Sequence, residues 1–409
     1  MECTGRVTLP ATTGTMKPVQ QQVCRLVIAP ETLTVHCQMP EPVISSHWRR
    51  FESLTVDGYT IRLNRFGDFP IVISHLGFQF ENALEHMRRY RSLQLAHDLL
   101  FKEEIQQIYR RFRIRPQGSE PPNPILTDLH ITRTALIFLP DEGVPKRIPA
   151  ADIVSIHRED YSIGIDLSGR GSLLLERLGN QLDPLLRDTK LMISRLENQT
   201  REWLRSFWPD PPPTELESAV SLFLDGRAAP YSRIRSMAPS LWPRLEEMIR
   251  SGPLAGEFRF LLSHSAPENL CIGFKQGLWG DKESRYIWML ILFPESRRLV
   301  LEAGLVSEQL TKDSDEPGKA SYFFNAPDLD AERFARALRA VNFRREPIYL
   351  SPEHLSTPRY ESYLHSVDRI PELKELRSLF IARVPHRKPE QWQRDCLSCI
   401  VPDENAIKN

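Results

Sequence analysis

Residues 76–84 read LGFQFENAL, and residues 178–186 read LGNQLDPLL. In each, Leu-Gly closes an apolar run, glycine permits a sharp exit from a strand, and an acid (Glu81 or Asp183) stands in the first turn of the helix that follows. The second stretch lies 102 positions after the first, and the same shift pairs much more of the chain. Ser53 falls on Ser155, Tyr59 on Tyr161, Ile61 on Ile163, Gly67 on Gly169 and Gln79 on Gln181. The intervening substitutions keep apolar on apolar and acid on acid, as with Leu54 and Ile156 or Glu81 and Asp183. The chain therefore carries an internal duplication.

Each copy reads alike. YTIRLNRFGDFPIVIS (residues 59–74) and YSIGIDLSGRGSLLLE (residues 161–176) are aliphatic runs broken by a glycine turn, the pattern of a hairpin. The helix after it is expected to bury Phe80, Leu84, Met87, Leu93, Ala96 and Leu99 in copy one. Copy two offers Leu182, Leu185, Leu186, Ile193, Leu196, Trp203, Leu204 and Phe207. Residues 23–58 and 125–160 supply the strands upstream. Each unit is then an antiparallel sheet closed by one C-terminal amphipathic helix, an α+β solution.

LHITRTALIFLP (residues 129–140), the RIPAADIVSI strand after it and the closing helix together resemble the pleckstrin-homology and GRAM-like superfold. The likeness extends over about half the chain through the repeat. It implies a binding module whose loops and strand–helix groove meet lipids, peptides or partner domains, and the fold does not choose among these. A phosphoinositide headgroup would need Lys and Arg clustered in the first hairpin. Copy one has APET there and copy two ITRT, with a lone Arg133, so a protein-binding version is expected.

Thirty-three prolines concentrate where units should separate, in RPQGSEPPNP (residues 115–124) and WPDPPPTE (residues 208–215). The expected organisation is a flexible N-terminus (1–20), pleckstrin-homology-like unit one (21–114), a linker (115–124), unit two (125–208) and a proline-rich linker (209–214). An α+β domain (215–350), with a diverged third copy as an open alternative, and a helical tail (351–409) follow. Within the domain, residues 214–256 read as helical and FRFLLSH (residues 258–264) as the first of several strands.

Lys+Arg and Asp+Glu are equal at 53 each, so no global field draws in nucleic acid or an anionic membrane. The N-terminus lacks the basic and apolar run of a secretory signal, and YIWMLILF (residues 286–293) is too short to cross a bilayer. Cytoplasmic residence is the expectation. Six scattered cysteines fit a reduced compartment.

Catalytic signatures are missing: there is no G-x-S-x-G, P-loop or H-E-x-x-H, and HRED (residues 157–160) falls at a strand connection in the repeat. CLSC (residues 396–399) has no second ligand pair nearby, so no metal or cofactor is expected. The sharpest charge feature is YRRFRIR (residues 109–115), where Arg110, Arg111, Arg113 and Arg115 interleave with Tyr109 and Phe112. These four arginines are the candidate binding residues, for RNA, an anionic membrane surface or an acidic partner. The plainer reading is the basic C-terminal end of a helix running into a linker.

A non-enzymatic interaction or scaffold protein, binding other proteins through its tandem units, is the leading expectation, and enzymatic activity is the less favoured reading. The alternatives are an enzyme with its site in 215–409, where His264, Glu268, Lys275 and Trp279 lie close in sequence, and a peripheral membrane protein. Oligomeric state is not encoded in any feature of the sequence.

Overall fold

The computed structural model describes residues 1–8, 21–37, 43–100, 103–117, 124–141, 145–169, 171–277, 285–305 and 319–401. They form an α+β chain of three antiparallel sheets. The first sheet holds β1 (Glu2–Thr8), β2 (Gln21–Ile28), β3 (Thr32–Cys37), β4 (Ile44–His47), β5 (Phe51–Asp57), β6 (Thr60–Arg65) and β7 (Asp68–Ser74), in the order β4-β3-β2-β1-β7-β6-β5. Helix α1 (Phe80–Leu100) follows. The second sheet holds β8 (Ile105–Gln117), β9 (Ile125–Thr132), β10 (Ala135–Pro140), β11 (Lys146–Pro149), β12 (Ile153–Glu159), β13 (Ser162–Leu167) and β14 (Gly171–Glu176). Its order is β11-β10-β9-β8-β14-β13-β12, and α2 (Leu182–Phe207) follows.

The two seven-stranded sheets thus share one strand order, and the duplication reaches individual residues. Phe51 opposes Arg65 and Ser53 opposes Asn64 across a β-bulge, and Ile153 opposes Leu167 and Ser155 opposes Asp166 across the same bulge. At the strand exit, His75 and Arg177 have φ of 59° and 60°, and Gly77 and Gly179 have 56° and 55°. Two left-handed residues in three turn the chain abruptly onto the helix.

The third sheet has a different, sequential order: β15 (Ala229–Pro230), β16 (Leu270–Gln276), β17 (Arg285–Phe293), β18 (Arg298–Leu305), β19 (Ala320–Asn325) and β20 (Phe380–Pro385). It shares strands followed by a helix with the copies, but not their topology. Around it lie α3 (Pro213–Leu222), α4 (Tyr231–Met237), α5 (Leu241–Ser251), α6 (Ala255–Leu262) and α7 (Ala331–Ala340). The short α8 (Glu346–Tyr349) and α9 (Pro352–Leu355) lead to α10 (Glu361–Arg369), α11 (Pro371–Leu379) and α12 (Pro389–Ile400). Strand β17 is buried on both faces, which is why its sequence is continuously apolar. Ile287, Met289 and Ile291 join a core with α3–α6, α12 and the end of α2, through Trp203, Leu204 and Trp208. Trp288 and Leu290 join a second core with Phe334 of α7, Leu373 of α11, Leu95 and Ala96 of α1, and Ile137 and Leu139 of β10. Each leucine, isoleucine, methionine and phenylalanine among these contributes about 1.5–3 kcal/mol on burial.

Buried polar contacts tie the sheets together. Arg147 of β11 lies 3.1 Å from Glu103 and donates to the Arg339 carbonyl of α7 at 2.5 Å. Arg339 in turn sits 2.6 Å from Asp152, and Lys275 of β16 lies 3.2 Å from Asp225. Between the copies, Arg91 of α1 donates to the carbonyls of Glu52 (2.5 Å) and Pro140 (3.4 Å). The Leu54 amide donates to the Asp141 carbonyl. The repeats therefore pack on each other.

Several expected boundaries move. Residues 2–8 are a strand at the centre of the first sheet, not part of a flexible end; 9–20 lie outside the described residues. YRRFRIR is not a helix end but the middle of β8, so the second unit begins near residue 105 and β8 runs into the expected linker as far as Gln117. FRFLLSH is largely helical: Phe258 and Leu261, three apart, face the core from α6. The tail contains β20, which pairs with β19. In α1, Leu93 is only half-buried while Arg91, Ser92 and Asp98 are buried, because copy two and α10 cover the helix's other faces.

Candidate functional site

A concavity lies on the second copy where strand, turn and helix meet. Arg113 comes from β8, Tyr161 from the turn between β12 and β13, Ser162 from the start of β13, and Glu176 from the end of β14. Arg177 and Gly179 come from the left-handed exit, and Leu182 is the first residue of α2. Together they line an open-sided cleft of about 450 Å³, within the range of about 300–1,000 Å³ usual for ligand sites. The site exists because the exit brings the start of α2 beside the β12–β13 turn, where Asp160 is also left-handed at φ 49°.

The electrostatics are unbalanced. Glu176 is paired with Arg115 at 2.9 Å, and Asp183, at the rim, with Arg158 at 3.0 Å. Among the described residues, Arg113 and Arg177 have no carboxylate within 4.0 Å. The cleft thus presents two guanidinium groups whose charge is not answered locally, beside the ring of Tyr161, which is 84% exposed. Such a surface receives a negatively charged group carried next to an apolar or planar one.

The corresponding place in copy one carries different side chains. Arg6 opposes Ser74 just as Arg113 opposes Glu176, and Tyr59, His75, Gly77 and Phe80 stand where Tyr161, Arg177, Gly179 and Leu182 stand. The Phe80 ring packs edge-on to Tyr59 at 5.4 Å. His75 Nδ1 is turned to the Ser74 hydroxyl at 2.9 Å. At the helix start the copies therefore differ by a phenyl ring in one and a leucine in the other.

The four arginines singled out from sequence do not form one patch. A bulge between Tyr109 and Phe112, with Arg111 at φ 59°, splays them. Arg111 is bound to Asp141 at 2.6 Å, Arg115 to Glu176, and Arg110 faces Glu85 at 4.0 Å. Only Arg113 enters the cleft. The sequence marked Tyr161 merely as a repeat identity and Leu182 merely as a core position of the helix, and gave no role to Arg177. The repeat alignment itself carried the signal, at the positions where the copies differ.

The second-half candidates are not brought together. His264 is exposed at the end of α6 and bonded to Ser263 or the Phe260 carbonyl, whereas Lys275 is buried against Asp225. Burial holds the Lys275 amine below its ordinary range despite that carboxylate. Glu268 lies in the short turn before β16, and Trp279 is outside the described residues. Burial opposes ionisation of Glu103, yet Arg147 and the hydroxyls of Thr134 and Thr132 outweigh it and leave the carboxyl below its usual range. This network joins sheets and lines no cleft. Cys396 is a core residue, and Ser321 accepts from the Trp392 indole at 2.7 Å beside it. Among the described residues no three His, Cys, Asp or Glu side chains are grouped to hold a metal ion, and no helix is long and apolar enough to cross a membrane.

The described residues form two copies of a seven-stranded antiparallel sheet with a following helix, on an α+β base. No protein-family model matches the chain, and no curated protein matches its sequence significantly.

Proposed function

We propose that the chain is a non-enzymatic interaction protein whose two pleckstrin-homology-like units present binding surfaces to partner proteins, with the third sheet as their rigid base. The observation that carries this reading is the duplicated seven-stranded unit, repeated in strand order, register, bulge and left-handed exit, with the two copies carrying different side chains at the cleft. Two surfaces on one rigid body raise avidity for a partner that offers two epitopes. The resemblance to the pleckstrin-homology superfold supports a binding role without naming the ligand. A membrane role for the arginine run is disfavoured, since Arg110, Arg111 and Arg115 each face a carboxylate.

The test is affinity capture from cell extract with the full-length chain and with one exposed apolar residue changed to glutamate in each copy. Phe78, 97% exposed, serves copy one, and Val154, 67% exposed, serves copy two. A protein retained through a high-salt wash by the parent chain, and lost or weakened by either variant, supports the reading. Retention of nothing, or retention indifferent to both substitutions, counts against it.

A further inference from the structure

We infer that the open cleft of the second copy holds an acidic segment of a partner protein, a Glu or Asp side chain seated between Arg113 and Arg177 with its neighbour against Tyr161. This rests on the reading of the chain as an interaction protein and adds the chemistry of what it recognises. The argument is charge complementarity within a shaped site. The local acids are already neutralised, Glu176 by Arg115 and Asp183 by Arg158, so the charges of Arg113 and Arg177 remain to be met by an occupant. The exposed phenol of Tyr161 and the aliphatic Leu182 give that occupant an apolar flank, which a bare inorganic anion would leave unused.

The duplication supplies an internal control. Copy one keeps the cation, as Arg6, and the aromatic, as Tyr59, but His75 replaces the second arginine and Phe80, its ring against Tyr59, replaces Leu182. The copies thus differ both in charge and in the side chain at the helix start, and Leu182→Phe, which alters only the second, separates the two contributions. An acid held in a shaped site is sensitive to that change, whereas general attraction to a positive surface would be indifferent to it.

The experiment is a fluorescence-anisotropy titration of the full-length chain with a fluorescein-labelled hexaglutamate peptide. Inorganic phosphate and phosphatidylserine vesicles are run as separate arms. The parent chain is expected to bind the peptide, with Arg177→Glu weakening it by about tenfold or more. Leu182→Phe, which leaves every charge in place, is expected to weaken it comparably, and Phe80→Leu to leave it unchanged. Thermal melts establish that the variants are folded; Arg177 is exposed, so its substitution stands as the test if Leu182→Phe does not fold. No peptide binding by the parent chain overturns the inference. So does a folded Leu182→Phe that binds like the parent, or Arg177-dependent retention of phosphate or vesicles without the peptide. If captured partner proteins persist on Leu182→Phe, the interaction reading stands and only this assignment falls.

Discussion

Glu103 and Arg147 show how single residues set the stability of this molecule. Both are almost wholly buried, so Glu103→Gln leaves an uncompensated cation and is expected to cost about 3–5 kcal/mol in urea unfolding. Adding Arg147→Met should recover part of that loss, and no recovery would mean that the pair is not the source of the effect. His130, buried in β9, is held down at about 4 by burial, with the charge of Arg110 adding to it. Its folded value thus lies below the ordinary 6.5, and folded His130 is neutral near pH 7. As pH falls from about 6.5 to about 4, the unfolded chain takes up a proton that the folded chain refuses, and stability drops by up to roughly 3 kcal/mol. His130→Leu should flatten that slope; equal slopes for parent and variant between about pH 7 and about pH 5 would exclude His130 as its cause.

Among elements, the hairpins, the strand exits and the long closing helices were legible in the sequence because their signals are local: alternation, glycine at a turn, an acid in a first turn. The membership of β1 and β8 was not, because each is defined by pairing with a strand far later in the chain, Arg6 with Ser74 and Gln117 with Ser172, and no local pattern records such a pairing. Arginine-rich β8 misled for a further reason, since alternate cations and aromatics suit a half-exposed strand as well as a helix end. Of the cleft, Arg113 and Tyr161 were visible in sequence, while Arg177 and Leu182 gained meaning only when the two copies were superposed in space. Strand packing also yields a sharp expectation in the third sheet. Gly273 of β16 lies opposite Trp288 of β17, and a Cβ there would meet the indole at 2.3 Å. Gly273→Ala should therefore destabilise by about 1–3 kcal/mol, read from the urea midpoint, through overpacking. A neutral result would show that the indole can move aside.

For the whole molecule, the sequence pointed to tandem units separable at proline-rich linkers, and packing argues otherwise. Leu95, Ala96, Ile137 and Leu139 from the copies, and Trp203, Leu204 and Trp208 from the end of α2, are buried in the cores of the third sheet. A fragment ending at residue 212 would expose all of them and leave Arg147 without the Arg339 carbonyl. It is expected to aggregate or to melt well below the intact chain in calorimetry, whereas the intact chain should unfold without a separate early transition for the repeats. A fragment as stable as the whole would show that the repeats do not depend on their base.

Helix α2, 26 residues long, begins at the cleft with Leu182 and ends among Trp203 and Phe207 in the core of another sheet. At 1.5 Å per residue it is a strut about 39 Å long that spans two bodies without a joint. A load applied at its cleft end has no hinge in which to dissipate, so a slight tilt becomes a displacement of the indoles at the far end. Tryptophan emission from Trp203 and Trp208 should then shift when the cleft is occupied, and an unchanged spectrum would show that the strut stays still.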